Sequence, residues 1–297
     1  MKGTKQRIVV KVGTSTLTHE SGSFNLRSME HLVRVLADLQ GMGHEVILVS
    51  SGAIGVGTAR LGLAERPKEL RMKQAAAAVG QCRMMHMYDT LFSEYNRCVA
   101  QILLTGEDVE APIRAEHLRG TFGALLEMKI IPVVNENDSV SSAEIETGRH
   151  KVLGDNDTLS AIVASLCEAD LLVLLSDIDG LYNADPRSNP DAKLIPQVTE
   201  LTEEIMAMAG GVGSWRGTGG MATKLSAAKV AMENGCDMVI TNGARMEDLY
   251  DIVEGKAWAP ALSPRKRRLH NDSAGTPGRP CQGSRPGPGN RRDRQEK

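Results

Sequence analysis

The sequence has few aromatic residues, no long apolar run and no strong excess of charge. Aromatic residues make up 3% of the 297 residues, which argues against surfaces that stack on bases or sugars. The formal net charge is -2, so the chain as a whole is not a binder of polyanions. No apolar run approaches the roughly 20 residues that a membrane-spanning helix needs. We therefore expect no membrane association, and any nucleic-acid binding would need a local basic patch.

Cysteine is scarce and forms none of its usual site patterns. The five cysteines form no C-x-x-C pair and none has metal-ligand spacing with a histidine. The first 13 residues contain an apolar stretch that is too short for a secretory signal. Scattered thiols without a signal are typical of a reducing compartment, so we expect a cytoplasmic protein.

Short apolar segments alternate with longer segments of helical periodicity. Strands are predicted over 7–12, 45–49, 99–104, 130–134, 170–175 and 238–241. Helices are predicted over 28–40, 67–96 (interrupted at Gly80), 117–129, 158–167, 221–234 and 247–254. Parallel strands need such long crossovers, so the pattern predicts an α/β fold. We expect an open, mainly parallel sheet with helices on both faces, a three-layer αβα sandwich.

The composition changes near residue 257. Residues 1–256 are predicted to form the folded domain, and 257–297 a basic tail rich in Pro, Gly and Arg. Because 264–297 have almost no apolar residues, they cannot bury enough surface to offset chain entropy, and we predict disorder. A solvated tail is the plain interpretation, and salt-sensitive RNA binding through the tail is the alternative.

Two turns that follow predicted strands have the composition of anion sites. Lys11 interrupts an apolar strand just before Gly13, so it either points to solvent from an edge strand or faces an anion such as phosphate. Small residues over 50–57 let backbone N–H groups approach an anion at the next helix N-terminus. A dinucleotide fingerprint is not complete there, because Arg60 occupies the third glycine position.

Three further segments are rich in polar or glycine residues. N-E-N-D at 135–138 and G-D-N-D at 154–157 could be simple turn chemistry, but together they suit a zwitterionic ligand. The glycine-rich loop at 217–224 opens a helix whose first turn contains Lys224, an arrangement that favours phosphates. It lacks the spacing of a Walker A loop.

Six segments in this order closely resemble the glutamate 5-kinases of the amino-acid kinase superfamily, over about residues 5–256. They are V-K-V-G-T-S, S-S-G-A-I-G, N-E-N-D, G-D-N-D, D-G-L-Y-N-A-D-P-R and G-T-G-G-M-A-T-K. The resemblance implies the amino-acid kinase fold and transfer of the ATP γ-phosphoryl group to the side-chain carboxylate of L-glutamate, the first step of proline biosynthesis. It also implies feedback inhibition by L-proline and a homo-oligomer, a dimer or tetramer.

The resemblance assigns roles to matching positions. Lys11 and Lys224 would hold the transferring phosphoryl group, and Asp157 would hold the two lysines. The residues expected to bind glutamate are Ser51, Gly52, Asp138 and Asn156. Those expected to bind nucleotide are Lys11, Ser176, Asp177, Thr218, Gly219, Gly220, Met221, Ala222, Thr223 and Lys224. Mg²⁺ would be held mainly by the ATP phosphates, with no metal ligand from the chain.

Two departures and two alternatives accompany the resemblance. The connection over 139–153 is longer than usual, and the C-terminal PUA domain of many relatives is not expected here. Another kinase of the superfamily, acting on acetylglutamate, aspartate or carbamate, is one alternative, which a substrate panel would separate. A non-catalytic nucleotide- or proline-binding relative is the other, and ATP turnover would decide it.

Overall fold

In the computed structural model the chain folds into alternating strands and helices. The structure describes residues 5–141, 153, 155–184, 186, 189–209, 220–256 and 261–263. These residues lie in the first of two units of the chain, Met1–Arg267; the second, Arg268–Lys297, lies outside the described residues. The described strands are β1 (Arg7–Val12), β2 (Glu45–Ser50), β3 (Val99–Leu104), β4 (Ile131–Glu136), β5 (Leu171–Ser176), β6 (Gln197–Val198), β7 (Asp237–Asn242) and β8 (Ala261–Leu262). The described helices are α1 (Thr14–Leu17), α2 (Leu26–Gly41), α3 (Ala53–Arg60), α4 (Leu70–Ser93), α5 (Gly106–Glu110), α6 (Pro112–Glu127), α7 (Asn156–Leu166), α8 (Glu203–Ala209), α9 (Met221–Glu233) and α10 (Asp248–Val253). Within these ranges no helix combines the length and the apolar character needed to cross a bilayer.

The strands form a single sheet in the order β3-β4-β2-β1-β5-β7-β8-β6. The neighbouring pairs from β3 to β7 are parallel, while β8 is antiparallel to β7 and parallel to β6. The predicted open, mainly parallel sheet is therefore confirmed. With β1 and β5 at its centre, the carboxyl ends of six parallel strands meet along one edge of the sheet.

Both faces of the sheet are covered by helices, as the apolar strands require. Alternate residues of β1 show the division: Val9 packs into the core beneath α6, α7 and α9, whereas Ile8 and Val10 pack into the core beneath α2, α4 and α10. All three side chains are fully buried. The predicted three-layer αβα sandwich is confirmed.

The structure corrects the expected interruption of a helix at Gly80. Helix α4 continues through this glycine from Leu70 to Ser93. The glycine is required by packing instead, since a Cβ on Gly80 would lie 1.8 Å from the Ala53 carbonyl oxygen of α3. A Cβ on Gly57 would lie equally close, 1.8 Å, to the Ala76 carbonyl oxygen of α4. The two helix backbones therefore touch where these two glycines face each other.

The sheet also extends past the predicted end of the folded domain at residue 256. Strand β8 (Ala261–Leu262) lies between β7 and β6, and Leu262 is buried in the core. The rest of the predicted tail, 257–260 and from 264 onward, lies outside the described residues.

Replacing Gly80 by alanine is expected to destabilise the fold. The added methyl group has a backbone carbonyl in its way, so α3 must move away from α4, which we expect to lower the free energy of unfolding by about 3 kcal/mol. Urea unfolding of the wild type and the variant measures this difference.

Gly120→Ala is the matched control, because Gly120 is an interior glycine of α6 where an added Cβ would meet no heavy atom of another described element within 4 Å. Alanine there is expected to raise stability by about 0.5–1 kcal/mol. Equal stability of Gly80→Ala and the wild type would show that the contact between α3 and α4 is not tight in solution.

Candidate active site

A cleft of about 830 Å³ opens at the carboxyl ends of the central parallel strands. An open α/β sheet binds ligands in this position, because the loops that follow neighbouring strands converge there. The structure brings most of the predicted site residues together in the cleft wall. They are Lys11, Ser51, Gly52, Asp138, Asn156, Asp157, Ser176, Asp177 and Lys224.

Asp157 lies between two lysines that come from distant parts of the chain. Its Oδ1 is 2.6 Å from the Lys11 ammonium nitrogen on β1, and its Oδ2 is 2.9 Å from that of Lys224 on α9. The exposed fractions of the side chains are 1% for Asp157, 12% for Lys11 and 6% for Lys224. The lysine in the apolar strand is therefore paired and mostly buried, and it does not point to solvent from an edge strand.

The electrostatics of this trio keep Asp157 ionised. Burial acts to raise the pKa of its carboxyl group, but the positive charges of Lys11 and Lys224, with their hydrogen bonds, outweigh burial and hold the pKa below its ordinary value. Thr223 adds a hydroxyl group 3.2 Å from Oδ2. One carboxylate thus holds two ammonium groups, and the trio carries a net positive charge that suits an anionic ligand.

The first turn of α7 positions Asp157, and a residue that the sequence analysis did not single out fixes this turn. The Asp155 carboxylate accepts hydrogen bonds from the backbone N–H groups of Asp157, at 2.8 Å, and Thr158, at 3.0 Å. This is the N-cap arrangement that satisfies the free N–H groups of a helix start. An Asp directly before an apolar helical pattern is the sequence signal that could have identified it.

Next to the trio, Asn156 connects two of the predicted substrate-binding segments. Its Nδ2 donates to Ser51 Oγ at 2.6 Å and to the Ser50 carbonyl oxygen at 3.0 Å. Gly52 follows with a φ of 106°, a conformation that favours glycine, and directly precedes α3. Asp138 lines the same part of the cleft. Described residues from both predicted polar clusters, 135–138 and 154–157, therefore line one pocket.

Among the described residues, only part of the predicted nucleotide-binding set lines the cleft, namely Lys11, Ser176, Asp177 and Lys224. Ser176 ends β5, and its hydroxyl lies 3.2 Å from Asp177 Oδ1. Gly220 precedes α9, and no side chain caps this helix N-terminus among the described residues. Of the described residues 220–224, Lys224 lines the cleft, while Met221, Ala222 and Thr223 continue the first turn. Thr218 and Gly219 lie outside the described residues.

Sequence reasoning missed two groups of residues around the pocket. Arg66, Lys68 and Lys73 line the cleft from α4 and the segment before it, and no motif marked them. Gln81 lies behind the pocket and accepts a hydrogen bond from Asn135 Nδ2 at 2.9 Å. A single glutamine in a helical pattern carries no signal for such a contact, because its partner is far away in the sequence.

Known proteins resemble this chain in sequence over most of its length. Residues 6–242 match the profile described as "Amino acid kinase family". The chain is 56% identical over 251 residues to a glutamate 5-kinase of Clostridium perfringens, covering 84% of this chain and 93% of that protein. It is 48% identical over 267 residues to a glutamate 5-kinase of Listeria innocua, covering 90% of this chain and 96% of that protein.

Solved structures resemble the chain in fold. A carbamate kinase from Giardia lamblia bound to AMP-PNP superposes with a TM-score of 0.62 at 14% identity, covering 89% of this chain and 100% of that one. A UMP kinase from Ureaplasma parvum gives a TM-score of 0.56 at 15% identity, covering 87% and 99%. At such low identity these structures show the shared fold alone. The sequence relatives go further: this chain belongs to the amino acid kinase family and, within it, to the glutamate 5-kinases.

Proposed function

We propose that this chain transfers the γ-phosphoryl group of ATP to the side-chain carboxylate of L-glutamate, which yields L-glutamyl 5-phosphate and ADP. The observation that supports it most directly is the buried trio of Lys11, Asp157 and Lys224 in the cleft. The glutamate 5-kinases that match the chain over most of its length support the choice of substrate.

The chemical difficulty of this reaction is repulsion between an anionic acceptor and an anionic donor. The acceptor carboxylate is already ionised at neutral pH, so it needs no general base to attack the γ-phosphorus. What it needs is positive charge around the phosphoryl oxygens and an in-line approach. At an effective dielectric constant near 20, one ammonium group about 4 Å from an anionic charge contributes roughly 4 kcal/mol. Lys11 and Lys224 supply two such charges.

Asp157 keeps those charges in place before the substrates arrive. Two ammonium groups would repel each other in a buried cleft, and the carboxylate between them removes most of that repulsion. Because its pKa is held below the ordinary value, Asp157 stays ionised throughout the neutral range. The lysines are therefore preorganised for the transition state, and the enzyme does not need to reorganise them during the reaction.

The remaining predicted residues divide between the two substrates. We assign Ser51, Gly52, Asp138 and Asn156 to L-glutamate, because they line the cleft beside the trio. We assign Lys11, Ser176, Asp177 and the segment 218–224 to ATP. Strand β5, which Ser176 ends, lies on the other side of β1 from β2 and β4, the strands that lead to the glutamate residues Ser51 and Asp138. The acceptor and donor would then meet at the lysines.

We propose that Mg²⁺ enters as part of the MgATP substrate. Both oxygens of Asp157 are paired with lysine ammonium groups. The ATP phosphates, rather than this carboxylate, would therefore be the main ligands of the ion. The ion would neutralise phosphate charge together with the lysines. The family resemblance further supports a cytoplasmic enzyme of proline biosynthesis that forms a dimer or tetramer and is inhibited by L-proline.

Trapping the acyl phosphate tests the proposed reaction. The purified chain, incubated with ATP, Mg²⁺, L-glutamate and hydroxylamine, is expected to form γ-glutamyl hydroxamate in a glutamate-dependent manner. Parallel reactions with aspartate, N-acetylglutamate and carbamate serve as substrate controls. Product with one of these in place of L-glutamate would transfer the assignment to another kinase of the superfamily, and no product from any acceptor would contradict catalysis.

Lys224→Ala is expected to lower kcat in this assay by roughly 100-fold or more, because it removes a charge that stabilises the transition state. Lys229→Ala is the matched control: Lys229 lies on the same helix α9 but is exposed. The control should retain wild-type kcat. If Lys224→Ala stays within threefold of the wild type, Lys224 has no role at the phosphoryl group.

Asp157→Asn is expected to lower the free energy of unfolding at neutral pH by about 3 kcal/mol, because it leaves two buried ammonium groups without their counter-ion. The difference should depend on pH in a defined direction. Because the folded-state pKa of Asp157 lies below the ordinary value of 3.8, its stabilising effect is complete above 3.8 and is lost as the pH falls through the folded-state pKa.

Urea unfolding of wild type and Asp157→Asn at neutral pH and near pH 3 measures both effects, and the gap between the two proteins should narrow in acid. A gap that widens in acid would mean that the carboxyl group is not held ionised by the lysines.

A further inference from the structure

Helix α4 presents two buried polar side chains to the ends of β2 and β4, on the side of the cleft that we assigned to L-glutamate. Gln81 is 8% exposed and Tyr88 0%. Gln81 Oε1 accepts from Asn135 Nδ2 at 2.9 Å, and the Tyr88 hydroxyl lies 2.8 Å from Ser50 Oγ. Buried polar groups are costly unless they are satisfied, and apolar side chains would fill an interface between helix and sheet without that cost. These contacts therefore call for a reason beyond packing.

The backbone of β4 determines how the Asn135 amide is oriented. The N–H group of Glu136 can only donate, and the atom that faces it at 2.9 Å is Asn135 Oδ1. The amide nitrogen must then lie on the opposite side, where it meets Gln81 Oε1. Gln81 thus supplies the acceptor that completes this orientation and holds the Asn135 side chain in it.

The orientation passes from Asn135 to Asn156. The same terminal atom of Asn156 faces the Ser50 carbonyl oxygen at 3.0 Å and Asn135 Oδ1 at 3.3 Å. Both of these atoms are acceptors, so the atom of Asn156 that faces them must be the donor Nδ2. It also donates to Ser51 Oγ at 2.6 Å.

The other terminal atom of Asn156, its Oδ1, is consequently the one left for a ligand. Asn156 lines the cleft, and among the described residues none donates a hydrogen bond to this oxygen. An oxygen without a donor is either buried and unsatisfied or exposed to solvent. Asn156 Oδ1 is not among the buried unsatisfied atoms, so it is accessible from the cleft. An exposed amide oxygen at this position is an acceptor, which suits an ammonium group.

Ser51 has the complementary polarity. Its oxygen accepts from Asn156, so its own hydroxyl proton is available to donate to another group. A hydroxyl donor beside the amide acceptor suits a carboxylate beside an ammonium group. The side of the cleft assigned to L-glutamate therefore presents an acceptor and a donor side by side, which is what the ammonium and carboxylate groups of an α-amino acid require.

We propose that Gln81 is a positioning residue for substrate selection: through Asn135 it holds the Asn156 oxygen toward the cleft, and the cleft thereby selects acceptors with a free α-ammonium group. The inference rests on the proposed function, because it assumes that this side of the cleft takes the amino acid. Gln81 itself lies behind the pocket and acts through Asn135.

The test compares L-glutamate with glutarate, which has both carboxylates but no ammonium group. Isothermal titration of the wild type should show tighter binding of L-glutamate. In Gln81→Met, which keeps the length of the side chain but removes the acceptor, the preference for L-glutamate over glutarate should fall about tenfold. KM for L-glutamate should rise about tenfold while kcat stays within about threefold, because the lysines and Asp157 are unchanged.

Two matched variants separate positioning from stability. Gln81→Glu keeps an acceptor for Asn135 and should keep the preference for L-glutamate, even if the added charge weakens binding of both ligands. Tyr88→Phe removes a buried hydrogen bond from the same face of α4 but leaves the amide chain intact, so it should lose stability and keep the preference.

Asn156→Ala tests the proposed acceptor directly and does not depend on the folding of the Gln81→Met variant. It removes the oxygen that faces the cleft, so the preference for L-glutamate over glutarate should be lost. The proposal is overturned if Asn156→Ala keeps the preference, if Gln81→Met stays within twofold of the wild type, or if the wild type binds both ligands equally.

The outcomes also separate this inference from the proposed function. Hydroxamate formation with an unchanged preference in Gln81→Met contradicts the inference alone. Preferential L-glutamate binding that depends on Gln81, without any hydroxamate from ATP, contradicts the proposed reaction and supports the inference.

Discussion

The structure of the cleft depends on one buried carboxylate that lies between two ammonium groups. Asp157 is 1% exposed, so an unpaired charge there would be prohibitively costly. Lys11 and Lys224 remove that cost, and the carboxylate in turn allows two like charges to share a confined space. Each group explains the burial of the others. The result is a positive site that exists before any phosphate enters it.

The parallel sheet makes this arrangement possible, because it delivers residues from distant segments to a single edge. Lys11 comes from the central strand β1, Asp157 from the first turn of α7 and Lys224 from the first turn of α9. The Asp155 cap fixes the start of α7. Lys11 belongs to the central strand itself, and Asp157 and Lys224 belong to helices that pack on the sheet, so little freedom is left in where these side chains lie. That suits a reaction that depends on positioning.

Helix α4 supports the other half of the cleft from behind. Its close backbone contact with α3 fixes the position of the segment that follows Gly52. Its buried Gln81 accepts a hydrogen bond from the Asn135 amide, which the Glu136 N–H group orients and which in turn contacts Asn156. The close contact requires glycines, and the amide chain requires a polar residue in an apolar interface. Both are local departures from ordinary helix composition, and both contribute to the geometry of the acceptor pocket.

Composition and periodicity were enough to predict the α/β class, most strands, and the five polar or glycine-rich segments that supply residues to the cleft. Apolar periodicity and strand-end polarity are local properties, so they can be read without a structure. The break expected at Gly80 was wrong because helix propensity takes no account of a neighbouring backbone. The Asp155 cap is local and has a sequence signal. The ion pairs of Asp157 with Lys11 and Lys224, which the family resemblance implied but no local pattern showed, and the contacts of Gln81 required the tertiary structure. Hydrogen bonds and ion pairs between residues far apart in sequence depend on the register of the sheet and the packing of helices against it, which no local pattern specifies.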